Sequence, residues 1–164
     1  IQMISVTNNF LDNDKFFEIK KLLISEKFPY FFTDNVNVLT HKIVEVVDDK
    51  RECSLFLEPL ISNLCQKLKV NEIIESKVIL ITKEKDNFCL DINKKNLNEI
   101  SLNNNSFKSI LYINSNDGFT EILGKDKVGS LQNRLLTFSS NVFYEESTPT
   151  NTHYRILLEL VYTL

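Results

Sequence analysis

Few groups in this 164-residue chain could do chemistry. There are two histidines, His41 and His153, and three cysteines, Cys53, Cys65 and Cys89. Neither histidine begins a His-x-Asp or His-x-Glu triplet, and no Cys/His set has the spacing of a zinc site. The sequence also lacks a phosphate-cradling glycine loop, a Gly-x-Ser-x-Gly nucleophile elbow and a dinucleotide fingerprint. What remains is a scatter of single groups in the C-terminal half: Cys89 and Asp91, Tyr144, the pair Glu145-Glu146, His153 and Arg155.

Each of these has an ordinary structural explanation to set beside a chemical one. Cys89 reads as a small buried hydrophobe, with nothing nearby to depress its thiol pKa. Asp91 reads as a turn or solvent-facing carboxylate. His41 reads as a strand-edge residue with its ring nitrogens satisfied, and His153 as exposed. Glu145 and Glu146 are adjacent on extended chain and so face opposite ways, which argues for a solvated loop over an acid/base pair. Arg155 divides evenly between an anion anchor inside the fold and a rim arginine paired with Glu145, Glu146 or Glu159.

The elements that must position these groups follow from periodicity. Phe16, Ile19, Leu22 and Leu23 recur at helical spacing between Asp12 and Lys27, with Asp12 or Asn13 placed to cap the start and Pro29 to enforce the stop. Leu57, Leu60, Ile61, Leu64, Cys65 and Leu68 mark one face of a second helix, with Pro59 tolerated in its first turn. The rest reads as short strands separated by Asn, Asp, Gly and Ser turns: 36–47, 73–82, 88–92, 107–114, 118–123, 135–138 and 154–162. Gly118, Gly124 and Gly129 fall in one twelve-residue window, predicting a hairpin there. The Asn- and Lys-rich span 93–105 reads as an exposed loop. Two helices followed by many strands predict one domain over 1–164, mainly β, as a barrel or sandwich.

Composition bounds the class. Hydrophobic residues at 43% and charged residues at 25% are those of a globular domain, and exclude disordered, collagen-like and coiled-coil chains. Nineteen basic against 22 acidic side chains give a net charge of -3, and the pI is near 5.5. That balance lacks the basic field a phosphate backbone requires, so nucleic acid is not expected as a partner. An odd, sparse cysteine set suits a reducing compartment, and with no long apolar run or exported leader the expected location is the cytoplasm, with no membrane partner.

The stretch from Ser109 through Asn116-Asp117-Gly118-Phe119-Thr120-Glu121, followed by Val128-Gly-Ser-Leu-Gln-Asn-Arg134-Leu-Leu-Thr-Phe and then Arg155, resembles the C-terminal barrel of the iron(II)/2-oxoglutarate-dependent oxygenases. More narrowly it is similar to the small prolyl-hydroxylase-like members common in marine bacteria and their phages. Phe28-Pro-Tyr-Phe31, the strand with His41, and Ser54 through Pro59 into the second helix occur in the same order in those relatives. The resemblance implies a double-stranded β-helix, a jelly-roll barrel with the two N-terminal helices packed outside. It also implies a metal site of two histidines and one carboxylate, with an arginine beyond the distal histidine for the far carboxylate of 2-oxoglutarate.

Carried over position by position, the resemblance places the His-x-Asp pair on Cys89-Leu90-Asp91 and the distal histidine on Tyr144. Cys89, Asp91 and Tyr144 are then vestigial metal positions, with only the carboxylate kept and Tyr144 filling volume a metal would have occupied. Arg155 falls where the 2-oxoglutarate anchor is expected. A polar Asn that relatives often carry near Ile79 is replaced, while Asn133 and Arg134 are kept as hydrogen-bond formers near a turn. A thiol and a phenol around one carboxylate are a poor match to a ferrous ion. The expectation is therefore an oxygenase-like barrel that has lost iron binding and catalysis, with no catalytic residue and no cofactor, acting as a binding or structural module for a protein partner or assembly. The alternatives are an active oxygenase whose atypical site still uses iron(II) and 2-oxoglutarate, and a metal-free carboxylate site built on Arg155 alone. A homodimer by strand addition at an open barrel edge is compatible with the sequence, though no residue specifies it.

Overall fold

The computed structural model describes residues 4–90, 92 and 105–164. Along the chain run β1 (Ser5–Thr7), α1 (Asn13–Leu23), β2 (Phe31–Phe32), β3 (Val38–Val47), β4 (Lys50–Cys53) and α2 (Leu57–Leu68). They are followed by β5 (Glu72–Thr82), β6 (Cys89–Leu90), β7 (Ser106–Tyr112), β8 (Phe119–Ile122), β9 (Asp126–Gly129), β10 (Leu135–Ser139), β11 (Tyr144–Ser147) and β12 (Tyr154–Thr163). Asp91 and most of the expected 93–105 loop lie outside the described residues.

The strands form two antiparallel sheets. The larger runs β1-β10-β7-β12-β5-β3-β2, with β4 also paired to β3, and the smaller runs β6-β11-β8-β9. This is a mainly β, jelly-roll architecture. Two apolar cores lie on opposite faces of the large sheet. One joins Phe16, Ile19 and Leu23 of α1 and Leu60, Ile61 and Leu64 of α2 to Ile156, Leu158, Leu160 and Tyr162 of β12. The other, inside the barrel, joins Ile79, Ile81, Ile110, Tyr112, Leu136 and Leu157 to Leu90, Ile122 and Tyr144 of the small sheet. β12 therefore alternates between the helices and the barrel, and its even-numbered residues anchor the helices. Each fully buried aliphatic or aromatic side chain in those layers contributes about 1.5–3 kcal/mol.

Several local features follow the sequence closely and others depart from it. α2 spans the expected residues and ends on Lys69 in the left-handed region at φ 57°. α1 stops at Leu23, short of the expected reach toward Lys27, because the Tyr30 hydroxyl takes up the Leu23 carbonyl (2.9 Å) and a turn replaces the last helical residues. Asp12 occupies the N-cap position of α1 without a side-chain capping bond. The glycine window does contain a hairpin, β8 to β9, whose turn places Leu123 and Gly124 at φ 55° and 65°. The short strands β1, β2, β4, β9 and β11 went unread, since two to four residues give too little alternation to register. No helix among the described residues is long and apolar enough to cross a membrane.

Candidate functional site

Arg155 is the second residue of β12 and points into the barrel, where it is 0% exposed. Its neighbour in space is Glu146, the third residue of β11, also 0% exposed. In the small sheet Glu146 lies opposite Thr120 of β8 on one side and Leu90 of β6 on the other. The sheets thus face the two charges toward each other. Arg155 Nη1 donates to Glu146 Oε2 at 2.7 Å and to the Ser147 carbonyl at 3.2 Å, Nε donates to Ser130 Oγ at 2.7 Å, and Nη2 to Thr120 Oγ1 at 3.2 Å. The Thr120 hydroxyl donates to the Glu146 carboxylate (2.8 Å to Oε2) and lies 2.6 Å from the Tyr112 hydroxyl. The guanidinium also stacks over the Tyr112 ring, 5.5 Å from its centroid.

Gly118 closes this arrangement from the β8 side. A Cβ there would lie 2.6 Å from Arg155 Cδ and 2.8 Å from Asn116 Oδ1, so the bare backbone is what lets the arginine stem pass beneath it. Burial pushes the Glu146 carboxyl above its ordinary value, with the Arg155 charge and the Thr120 hydroxyl pulling the other way.

A second charged cluster occupies the barrel farther along β12. Glu159 Oε1 is 3.0 Å from Lys108 Nζ and 3.5 Å from Lys77 Nζ, and its Oε2 accepts the Tyr144 hydroxyl at 2.5 Å. Lys108 Nζ also donates to the Tyr144 oxygen at 2.8 Å. Burial works against the Glu159 charge, yet Lys108 and Lys77 outweigh it and bring the pKa to about 2. Lys108 is lowered, chiefly by burial, despite Glu159. For Lys77 burial opposes the charge, but Glu159 and Glu75 hold the pKa above its ordinary value.

Of the expected metal positions, Cys89 and Tyr144 fall among the described residues. Cys89 is half-buried beside Glu121, its Sγ 4.0 Å from Oε2, while the next residue, Leu90, turns into the barrel core. Burial, together with Glu121 and Glu145, raises the Cys89 thiol, the reverse of what a thiolate ligand needs. Tyr144 does face the barrel, but its ring packs on Phe138 at 5.2 Å and its hydroxyl is committed to Glu159. Asp91 lies outside the described residues. Among the described residues no three His, Cys, Asp or Glu side chains gather as a metal would require.

Other expectations have clear outcomes. His41 has both ring nitrogens engaged, by the Pro29 carbonyl at 2.9 Å and Ser54 Oγ at 2.8 Å, within an aromatic nest of Phe28, Phe31 and Phe56. His153 is exposed and precedes β12. Asn133, at φ 59°, exchanges two hydrogen bonds with Leu11, and Arg134 holds Asn8 and the Gly129 carbonyl. Ile79 is buried in the barrel core. The reading of Glu145-Glu146 as a solvated loop is corrected: they belong to β11, and the alternation that sends Glu145 outward sends Glu146 to Arg155. Arg155 is accordingly inside the barrel and already paired. Lys108 is missed by the sequence reading, and Glu159 is named there only as a possible partner of Arg155, although lone charges within the apolar runs 107–112 and 156–162 are a signal that both face something specific.

No protein-family model and no curated protein sequence matches the chain. Solved structures do. HygX from Streptomyces hygroscopicus, in a structure with nickel and 2-oxoglutarate bound, superposes with a TM-score of 0.65 at 11% identity, over 99% of this chain and 83% of that one. A prolyl hydroxylase from Trichoplax adhaerens, in complex with a hypoxia inducible factor peptide, gives 0.63 at 15% identity, over 98% and 83%. The viral collagen prolyl hydroxylase of Paramecium Bursaria Chlorella virus-1 gives 0.57 at 11% identity, over 98% and 96%. This chain has the fold of the iron(II)/2-oxoglutarate-dependent oxygenases. At these identities the likeness carries the architecture and not the activity. Tested against the oxygenase fold's cofactors, the described residues do not fit: the barrel arginine holds a carboxylate of its own chain, and Cys89 and Tyr144 are turned to other partners.

Proposed function

We propose that this protein is an oxygenase-fold barrel that has given up iron(II), 2-oxoglutarate and catalysis, and that it serves as a binding or structural module. The observation that carries this reading is the 2.7 Å pair between Arg155 and Glu146, both without solvent exposure. A dicarboxylate entering the barrel would have to displace Glu146 and leave a buried carboxylate without its cation, an expensive exchange. The Lys108–Glu159–Tyr144 cluster supports the same reading by filling the barrel with side chains that satisfy one another.

A scaffold relieved of chemistry acts through its surface. A protein partner or a larger assembly suits this chain better than nucleic acid, given its net charge of -3. The deciding experiment is anaerobic calorimetry with iron(II), and then with 2-oxoglutarate, followed by an assay for succinate. We expect no heat of specific binding and no turnover. Micromolar iron binding with 2-oxoglutarate consumed to succinate would instead establish an active oxygenase with an atypical metal site.

A further inference from the structure

Both helices pack on the large sheet, and the inner face of the small sheet closes the barrel, so among the described residues no further layer covers the small sheet's outward face. Register puts three charges in one row across that face: Lys127 of β9 lies opposite Glu121 of β8, and Glu121 opposite Glu145 of β11. Cross-strand partners point to the same side of a sheet. Lys127 Nζ is 3.2 Å from Glu121 Oε2 and 4.5 Å from the centre of the Phe119 ring, while Cys89 Sγ approaches the same oxygen from β6 at 4.0 Å. That lysine displays in cis what the face can hold, a cation laid over a phenyl ring and against a carboxylate. It answers only one of the two glutamates. Glu145 is half-buried, its carboxylate has no partner among the described residues, and it stands opposite a like charge, which costs stability. At the same end of the two strands stand two exposed apolar side chains, Phe143 at 51% and Leu123 at 40%, where the Leu123 N–H donates to the Phe143 carbonyl at 3.0 Å.

We propose that the outward face of the small sheet is the docking surface for a protein partner, which lays an arginine across Glu145 and Glu121 and an adjoining apolar side chain on Phe143 and Leu123. An arginine supplies what the face lacks: its planar fork offers parallel N–H donors to carboxylates, and its charge relieves the repulsion between them. The apolar neighbour covers surface that otherwise stands in water. Polyanions meet the wrong sign at Glu145. A carboxylate kept at a cost to the free chain is what a binding residue looks like, since stability is commonly given up where a partner is met. The inference deepens the reading of this chain as a binding module and rests on it.

Two measurements on the full chain test it. E145Q removes the repulsion without touching the barrel, so its thermal midpoint should rise by about 1–3 °C. A fall would make Glu145 a structural group and overturn the proposal. In amide NMR of the isotope-labelled chain, the blocked tripeptide acetyl-Leu-Arg-Phe-amide at millimolar concentration should give saturable shifts at Glu121, Leu123, Phe143 and Glu145. It should bind E145Q about three- to fivefold more weakly. The same peptide with citrulline, uncharged and matched in shape, should bind both proteins equally weakly. Absence of shifts, shifts confined to another surface, or citrulline binding the unaltered chain as well as arginine would each overturn the proposal. Spermidine reproducing the shifts of the arginine peptide at equal concentration would also overturn it, by making the face a general cation surface. Succinate formation in the calorimetric experiment above would overturn the functional reading, whereas a peptide that ignores this face overturns only the docking surface.

Discussion

The barrel holds two buried charge clusters on one strand, and they are balanced differently. At the Arg155 end one guanidinium meets one carboxylate, and burial still pushes the Glu146 carboxyl up. At the Glu159 end two ammonium groups and a phenol converge on one carboxylate, and its pKa falls to about 2 despite equal burial. The number of cations, and not the depth of burial, sets the direction. The clusters differ too in what can relax. Arg155 keeps its charge whatever its surroundings, whereas Lys108 is already lowered by burial and the Lys77 side chain keeps 13% of its surface in water.

That contrast can be broken from either side. The largest effect is expected for Glu146→Ala, which strands an arginine in the barrel and should lower unfolding free energy by about 3–5 kcal/mol in urea titrations. Pairing it with Arg155→Met should recover much of the loss, giving a strong coupling in a double-mutant cycle. Glu159→Gln should cost less, about 2–3 kcal/mol, because Lys108 can lose its proton and Lys77 can turn to solvent. A Glu159→Gln loss exceeding that of Glu146→Ala would mean that the lysines are held as rigidly as the arginine.

Acid provides a sharper instrument. Glu159 has a folded pKa below its ordinary 4.5, so its contribution is present above pH 4.5 and is lost as pH falls from there toward about 2. Glu146 has the opposite sign: its raised value makes its contribution greatest below 4.5 and smaller as pH climbs past the folded pKa. Stability measured from pH 6 to pH 2 should therefore fall less steeply in Glu159→Gln than in the unaltered protein, and an unchanged slope would remove Glu159 as the acid-sensitive group. The smallest effect is expected for Tyr144→Phe, about 1 kcal/mol, since it removes one hydroxyl while Glu159 keeps both lysines. Equilibrium unfolding of that variant checks the value.

Reading the chain alone goes a long way where information is local. The apolar stripe of α2, the β-branched runs that became β3, β5 and β12, and the hairpin among the glycines all follow from spacing within a dozen residues. The segment from Asn116 to Glu121 and the position of Arg155 pointed to the oxygenase barrel, which the fold bears out. The identity of the partner of Arg155 was open among three glutamates, because β11 is only four residues long and shows no period of its own.

What the amino-acid order determined by itself was the set of elements, their sequence along the chain, and the scarcity of imidazoles in it. What tertiary structure decided was which charges meet. Lys108 and Glu159 stand 51 positions apart and Thr120 and Glu146 stand 26 apart, and they come together only because antiparallel pairing sets the register of β7 against β12 and of β8 against β11. A one-residue slip in either pairing would turn those side chains to the opposite face. Register is chosen by the summed packing of both sheets and not by any residue in the pair, and so the interior of the barrel becomes legible only once the barrel is closed.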